Sequence, residues 1–153
     1  MRRGATLIEL GIDAEEINHK LFNSKSQRQI RAEGFVSEKI VTKYSGKLAY
    51  ATVTRRERER LGVLMEHLET AIDVVRSVEM VDISFVIKET DKGEYKASLR
   101  STGADVAAIC ARFGGGGHIK AAGCTVPAKN IEDAARRVLA EIGNTYYAGE
   151  SEE

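Results

Sequence analysis

The sequence predicts an α/β chain: a small mixed β-sheet flanked by helices, preceded by a short helical segment. Three observations carry this. Residues 81–88 and 94–100 alternate in polarity on either side of the turn Asp91-Lys92-Gly93, the pattern of two hairpin-linked strands. Residues 105–113 and 131–142 place apolar side chains three and four apart, the period of a helix with one buried face. Of the 153 residues, 42% are hydrophobic and 30% charged, enough apolar material for a core and too much for disorder.

The elements follow in order. Asp13 with Glu16 reads as a helix-opening box, with Ile17 and Leu21 on one face. Ser24 with Gln27 reads as a second box, followed by a polar stretch with Ile30, Phe35 and Val41 as apolar anchors. These helices hold too little apolar surface to stand alone, so residues 1–46 are expected to be the helical tail and linker of another domain. "KLAYATV" at 47–53 predicts a strand. Thr54 with Glu57 caps a short helix that stops at Gly62, and a further helix spans 71–78 with Ile72 and Val75 inward. In 81–88, Val81, Ile83, Phe85 and Ile87 share a face. In 94–100, Tyr95, Ala97 and Leu99 oppose Lys96, Ser98 and Arg100. The helix from Asp105 should bury Val106, Ile109 and Phe113. After the glycine run come a short helical turn at 118–122, a strand at 124–126 and a final helix capped by Asn130 and Asp133. Residues 47–143 form the main domain, and 144–153 an acidic, frayed tail.

Twenty-three Lys and Arg balance 23 Asp and Glu, so no global field draws the chain to long nucleic acid. Contact with nucleic acid must be local and to something short. Cys110 and Cys124 form no CxxC, which argues for a reducing compartment without disulfides or structural zinc. No apolar run approaches the ~20 residues of a membrane span. The basic start Met1-Arg2-Arg3-Gly4 has no signal-peptide core behind it, so the expected location is the cytoplasm.

The most informative stretch is "FGGGGHIKAAG", 113–123. Gly114 fits a helix C-cap; Gly115, Gly116 and Gly117 need another reason. Glycine runs are commonly connectors, yet this one joins an apolar helix to packed alanines. Backbone without Cβ atoms can approach a ligand closely, and successive N–H groups form a nest for anions. A helix opening near His118 would add its N-terminal donors. His118 can donate to a phosphate or stack on a base. Arg100-Ser101 closes a strand on its polar face, where a guanidinium fork suits phosphate. Lys96 and Ser98 share that face. The charged stretch from Thr54 reads as a solvated helix face, and His19 and His67 have no partners at metal-ligand spacing.

"LRSTGADVAAICARFGGGGHIKAAGCTV" resembles the C-terminal, DHH-associated domain of DHH-family phosphoesterases, the domain that carries the GGGH motif. The matching pieces are Arg100-Ser101, Asp105-Val106, the apolar helix to Phe113, Gly115 to His118, and Ala121 to Gly123. The resemblance covers residue 47 to about 143, and "LIELGIDAEEINHKLFNS" resembles the end of a DHH domain. The nearest branch is that of bacterial nanoRNases and 3'-phosphoadenosine 5'-phosphate phosphatases. The resemblance implies that Arg100 and Ser101 hold phosphate or base, that Gly115, Gly116 and Gly117 cradle the nucleotide, and that His118 contacts it. It implies manganese (Mn2+), held by aspartates and histidines of the DHH domain. No Asp-His-His tripeptide occurs here, so no cofactor is expected in this chain, and no catalytic residue. The expected partners are a DHH catalytic domain, a short RNA, a dinucleotide or a nucleotide 3'-phosphate, and a second copy in a homodimer. The chain is expected to be the C-terminal half of an enzyme and inactive alone. The rival readings are an RNA-binding or dimerising module of the alanyl-tRNA synthetase kind, part of a single-strand exonuclease, and a plain α/β scaffold.

Overall fold

The computed structural model describes residues 13–153. The basic start and the first third of the DHH-like stretch, residues 7–12, lie outside them. Helix α1 (Ala14–Asn18) runs into one π turn (His19–Asn23), and α2 is Gln27–Glu38. Then follow β1 (Val41–Lys43), β2 (Leu48–Val53), α3 (Arg55–Leu61), a 3-10 turn (Met65–Leu68) and α4 (Ala71–Arg76). Strands β3 (Ile83–Glu89) and β4 (Tyr95–Ser101), helix α5 (Val106–Ala111), strands β5 (Gly116–His118) and β6 (Ala121–Thr125), and helix α6 (Ile131–Tyr146) complete the chain.

The six strands lie in the order β1-β2-β3-β4-β6-β5. Among the described residues only β2 and β3 pair in parallel, and the helical crossover α3–α4 between them supplies the long connection that such pairing needs. The other four pairings are antiparallel. The sheet is mixed and helix-covered, as the alternation predicted.

Two cores lie on its two faces. On one, α5 and α6 bury Val106, Ile109, Val138 and Ile142 against Leu48, Phe85, Ile87 and Leu99. On the other, α2 and α4 bury Val36, Ile72 and Val75 against Ala49, Ala51, Val53 and Val86. Helix α2 therefore packs on this sheet through Ala32 and Val36, although sequence reading assigns it to a neighbouring domain. Strand β3 carries buried side chains on both faces, so its run of five buried residues, Ile83 to Ile87 with Ser84 among them, goes beyond simple alternation.

Local chemistry explains the boundaries. Thr54 and Glu57 form the expected reciprocal cap, and Gly62 ends α3. Asn130 accepts the Asp133 N–H at 2.8 Å and opens α6. The second N-terminal box is shifted: Ser26, not Ser24, caps α2, with Gln29 returning the bond. Both serines precede a glutamine by three, and the pattern alone does not separate them. Leu21 is exposed instead of sharing a buried face with Ile17.

Three further expectations are corrected. Residues 118–122 form no helical turn; they close the β5–β6 hairpin, whose ladder with β4 satisfies the backbone better than one isolated turn. Phe113 is half-buried, and Cys110 takes the fully buried place in α5. The acidic tail is tied down: Tyr44 and Ser45 donate their N–H groups to the carbonyls of Glu152 and Glu153, and Lys47 pairs with Glu150 at 2.8 Å. Tyr147 stacks on Tyr44 with ring centres 4.4 Å apart.

Candidate functional site

The second core covers only half of its sheet face. Over β2 and β3 it is roofed by α2 and α4, and α4 also reaches β4; beyond that, over β6 and β5, the described residues form no buried cluster on this face. Side chains paired across a ladder point the same way. The register therefore lists what this bare half presents. One row runs Arg100–Ala121–His118, the next Ser98–Gly123–Gly116, and the next Lys96–Thr125; their neighbours on the roofed strand β3 are the buried Ser84 and Val86 and the half-buried Lys88.

Arg100 and His118 thus share a row, separated only by the methyl of Ala121. Two strand spacings put their backbones about 10 Å apart. A long guanidinium and an imidazole can converge on one anion across that gap. His118 is exposed, and Arg100 is half-buried with its guanidinium donating to the Leu99 carbonyl at 2.9 Å. Ser101 stands one residue further, on the opposite face; its hydroxyl donates to the Ala104 carbonyl and fixes the loop before α5. The register puts Arg100 and His118 in one row of one face and sets the Ser101 side chain on the other. Both Arg100 and Ser101 border a pocket of ≈ 190 Å³ beside Arg76 and Ser84.

The four glycines separate by function within the fold. Gly114 has φ +77°; its N–H bonds to the Ala111 carbonyl and that of Gly115 to the Cys110 carbonyl. This is the Schellman closure of α5, and it consumes two donors that a nest would need. A Cβ on Gly115 would sit 2.3 Å from the Gly123 carbonyl oxygen and 2.5 Å from the Cys124 Cβ. Gly117, at φ +145°, would meet Ala121 and Ala122 main chain at 2.7 Å. Gly116 alone has ordinary φ and open space where a Cβ would go. The fold does not explain its lack of a side chain.

Sequence reading missed Lys88, which faces Lys96 directly across the β3–β4 ladder. The signal was present: in 81–88, Ser84, Val86 and Lys88 occupy the face opposite Ile83, Phe85 and Ile87. Only the pairing register puts that face beside Lys96 and Arg100. Burial lowers the pKa of Lys88, and the positive charges of Arg100 and Lys96 push it the same way; Glu69 opposes them. A cleft of ≈ 440 Å³ lies between this lysine pair and the main chain of Gly114 and Gly115.

Among the described residues no three His, Cys, Asp or Glu side chains stand together as a metal site. His19 contacts Ser24, and the Nδ1 of His67 accepts the Leu64 N–H. The manganese that the resemblance implies finds no fitting donor set on these residues. Nor is any helix among them long and apolar enough to cross a membrane.

The chain is similar to the bifunctional oligoribonuclease and PAP phosphatase NrnA of Thermus thermophilus, 29% identical over 143 residues, covering 93% of this chain and 42% of that protein. It is 27% identical over 126 residues to the protein of the same name from Mycoplasma pneumoniae, covering 78% of this chain and 38% of that one. The chain thus spans about two fifths of the length of these relatives. Among solved structures, an exopolyphosphatase-related protein from Bacteroides fragilis superposes with a TM-score of 0.80 at 25% identity, over 92% of this chain and 41% of that one. The pGpG-specific phosphodiesterase PggH of Vibrio cholerae shares the fold, with a TM-score of 0.53 at 16% identity over 80% of this chain and 42% of that one. Residues 45–144 match the profile of the DHHA1 domain, and this span holds both the bare sheet face and the glycine hairpin. The chain belongs to the DHHA1 family of DHH phosphoesterase-associated domains.

Proposed function

We propose that this chain is the substrate-binding part of a DHH phosphodiesterase, and that it grips the phosphorylated end of a short oligoribonucleotide, a dinucleotide or a nucleotide 3'-phosphate. The observation that carries the reading is the row Arg100–Ala121–His118, which crosses the part of the sheet face where the described residues form no buried cluster. Arg100 supplies a permanent charge and a fork for phosphate oxygens. His118 supplies a donor and a flat ring for a base. Gly116, without a Cβ, lets the ligand lie close against β5. The two curated relatives are named for oligoribonucleotide and PAP substrates, which have the phosphate chemistry this row would hold.

The reactive centre is assigned to a DHH domain outside the described residues, which contain no metal-binding cluster. The chain by itself should bind and not cleave.

Titrating the 15N-labelled chain with 5'-AMP and with pApA tests this. The amides of Gly116, Gly117 and His118 should shift together, and Arg100→Gln and His118→Ala should each weaken binding about tenfold. Shifts confined to another surface, or unchanged affinity in both variants, would refute the reading. The same chain with manganese and pApA should release no product.

A further inference from the structure

Cys110 and Cys124 are the chain's two cysteines, and they bracket the glycine run. Both are free thiols buried in the core beneath α5 and α6. Cys110 belongs to α5. Cys124 lies on β6, where its ladder partner, the buried Ala97, fixes its side chain on the α5 side of the sheet. Gly115 touches both. Its N–H donates to the Cys110 carbonyl at 2.9 Å, and a Cβ placed on it would fall 2.5 Å from the Cys124 Cβ and 2.7 Å from the Cys124 Cα. The two thiols are neighbours across one glycine, and they are not equivalent. Cys124 is 9% exposed and borders the ≈ 440 Å³ cleft, which Lys88 and Lys96 also line; Cys110 is fully buried and stands behind it. The hydrogen bond between the thiols holds the pKa of Cys124 below the ordinary thiol value and, together with burial, pushes that of Cys110 up. The thiolate is the nucleophilic form of cysteine. The sulfur that releases its proton more readily is therefore the one that solvent can reach, with a protonated second sulfur beside it.

We propose that Cys124 and Cys110 are a hydroperoxide-sensitive pair: Cys124 is oxidised first, Cys110 resolves it, and the disulfide that forms displaces the glycine hairpin. In the first step the Cys124 thiolate attacks one oxygen of hydrogen peroxide. The O–O bond breaks, the electron pair leaves with hydroxide, and Cys124 becomes a sulfenic acid. In the second step the Cys110 sulfur attacks the Cys124 sulfur. The S–O bond breaks, and the hydroxyl takes the Cys110 proton and leaves as water. Two thiols lose two electrons, and one peroxide becomes two waters. A thiol reductant reverses the change by exchange. The consequence for the hairpin follows from packing. A disulfide brings its sulfurs to about 2.05 Å, well inside non-bonded contact, so α5 and β6 must draw together. Gly115 fills the space between them with no room even for a Cβ. It has to move, and it carries Gly116 and His118 of β5 with it. The effect on a ligand rests on the binding face described under the proposed function; the oxidation itself does not.

The test treats the folded 153-residue chain with hydrogen peroxide and reads it by mass spectrometry and by 15N spectra. Wild type should become lighter by the mass of two hydrogens and yield a linked Cys110–Cys124 peptide pair, at a rate independent of protein concentration. Dithiothreitol should restore the original mass. In Cys110→Ala, dimedone should trap a sulfenic acid on Cys124; in Cys124→Ala, Cys110 should be oxidised about tenfold more slowly than Cys124 is in wild type. The amides of Gly114 to His118 should shift on oxidation and return on reduction, and 5'-AMP should bind the oxidised chain about tenfold more weakly. The proposal is overturned if both thiols of folded wild type survive a peroxide dose that links them in the urea-unfolded chain. It is equally overturned if dimedone labels Cys110 ahead of Cys124, or if the disulfide forms and the Gly114 to His118 amides stay in place. If the reduced chain does not bind 5'-AMP, the binding face is wrong, while the mass and amide readings still decide the switch.

Discussion

At the scale of single residues, neighbouring glycines of one run answer to different forces. Gly115 is required by packing, since its Cβ would fall 2.3 Å from a main-chain oxygen that cannot move without shifting β6. Gly116 is required by nothing in the fold. Gly115→Ala should therefore destabilise the chain by about 1–3 kcal/mol. Gly116→Ala should stay within about 0.5 kcal/mol of wild type, while weakening 5'-AMP binding. Denaturant unfolding and calorimetry on the same two variants separate the effects; equal stability losses would show that the hairpin has been misread. The opening question of such a run, connector or cradle, has a mixed answer: the segment is an ordered helix stop and strand, with one position left open towards solvent.

At the scale of elements, helix ends and turns are held by polar groups that can be titrated or removed. The carboxylate of Asp133 accepts the Lys129 N–H at 3.1 Å and pairs with Arg136 and Arg137 at the start of α6. These bonds, the main-chain one first, hold its pKa below the ordinary carboxylate value. A carboxylate with a depressed folded-state pKa adds stability above its unfolded pKa, near 3.9, and that stability is lost as pH falls through the folded value. The melting temperature of wild type should therefore exceed that of Asp133→Asn by a constant margin above about pH 4, and the margin should close on further acidification. A margin independent of pH would remove Asp133 as its source. Arg58, 2% exposed, binds the Glu89 carbonyl through two nitrogens and Asp91 at 2.8 Å. It pins the β3–β4 turn on which Lys88 and Lys96 depend, and the charge run from Thr54 that reads as solvated therefore hides one structural arginine.

At the scale of the whole molecule, one sheet joins two cores. Phe85 faces α6 and stacks on Tyr50 at 4.8 Å, whereas Leu68 belongs to the cluster beneath α2 and α4. Phe85→Ala should cost about 3–5 kcal/mol and Leu68→Ala about 2–5 kcal/mol. Because β3 contributes to both cores, each variant should lower a single common transition, followed by circular dichroism and by tyrosine fluorescence. Two separated transitions would mean that the helices on one face melt alone. The same architecture creates the candidate site: among the described residues, helices bury one core on each face, and the part of the second face over β6 and β5 is left to polar and small residues.

The alternation of 81–88 and 94–100, the caps at Thr54 and Asn130, and the Arg100-Ser101, GGGH and Ala-Ala-Gly pieces are local, so the sequence alone determined the α/β class, most boundaries and the family. Pairing register is not local. It depends on which strands meet and on how the cores fill, and a shift of one residue would turn every side chain to the other face. Only the tertiary structure decided that 118–122 closes a hairpin, that α2 joins this sheet, and that Lys88 stands against Lys96. Those outcomes rest on contacts between residues far apart in the chain, which no window of sequence contains.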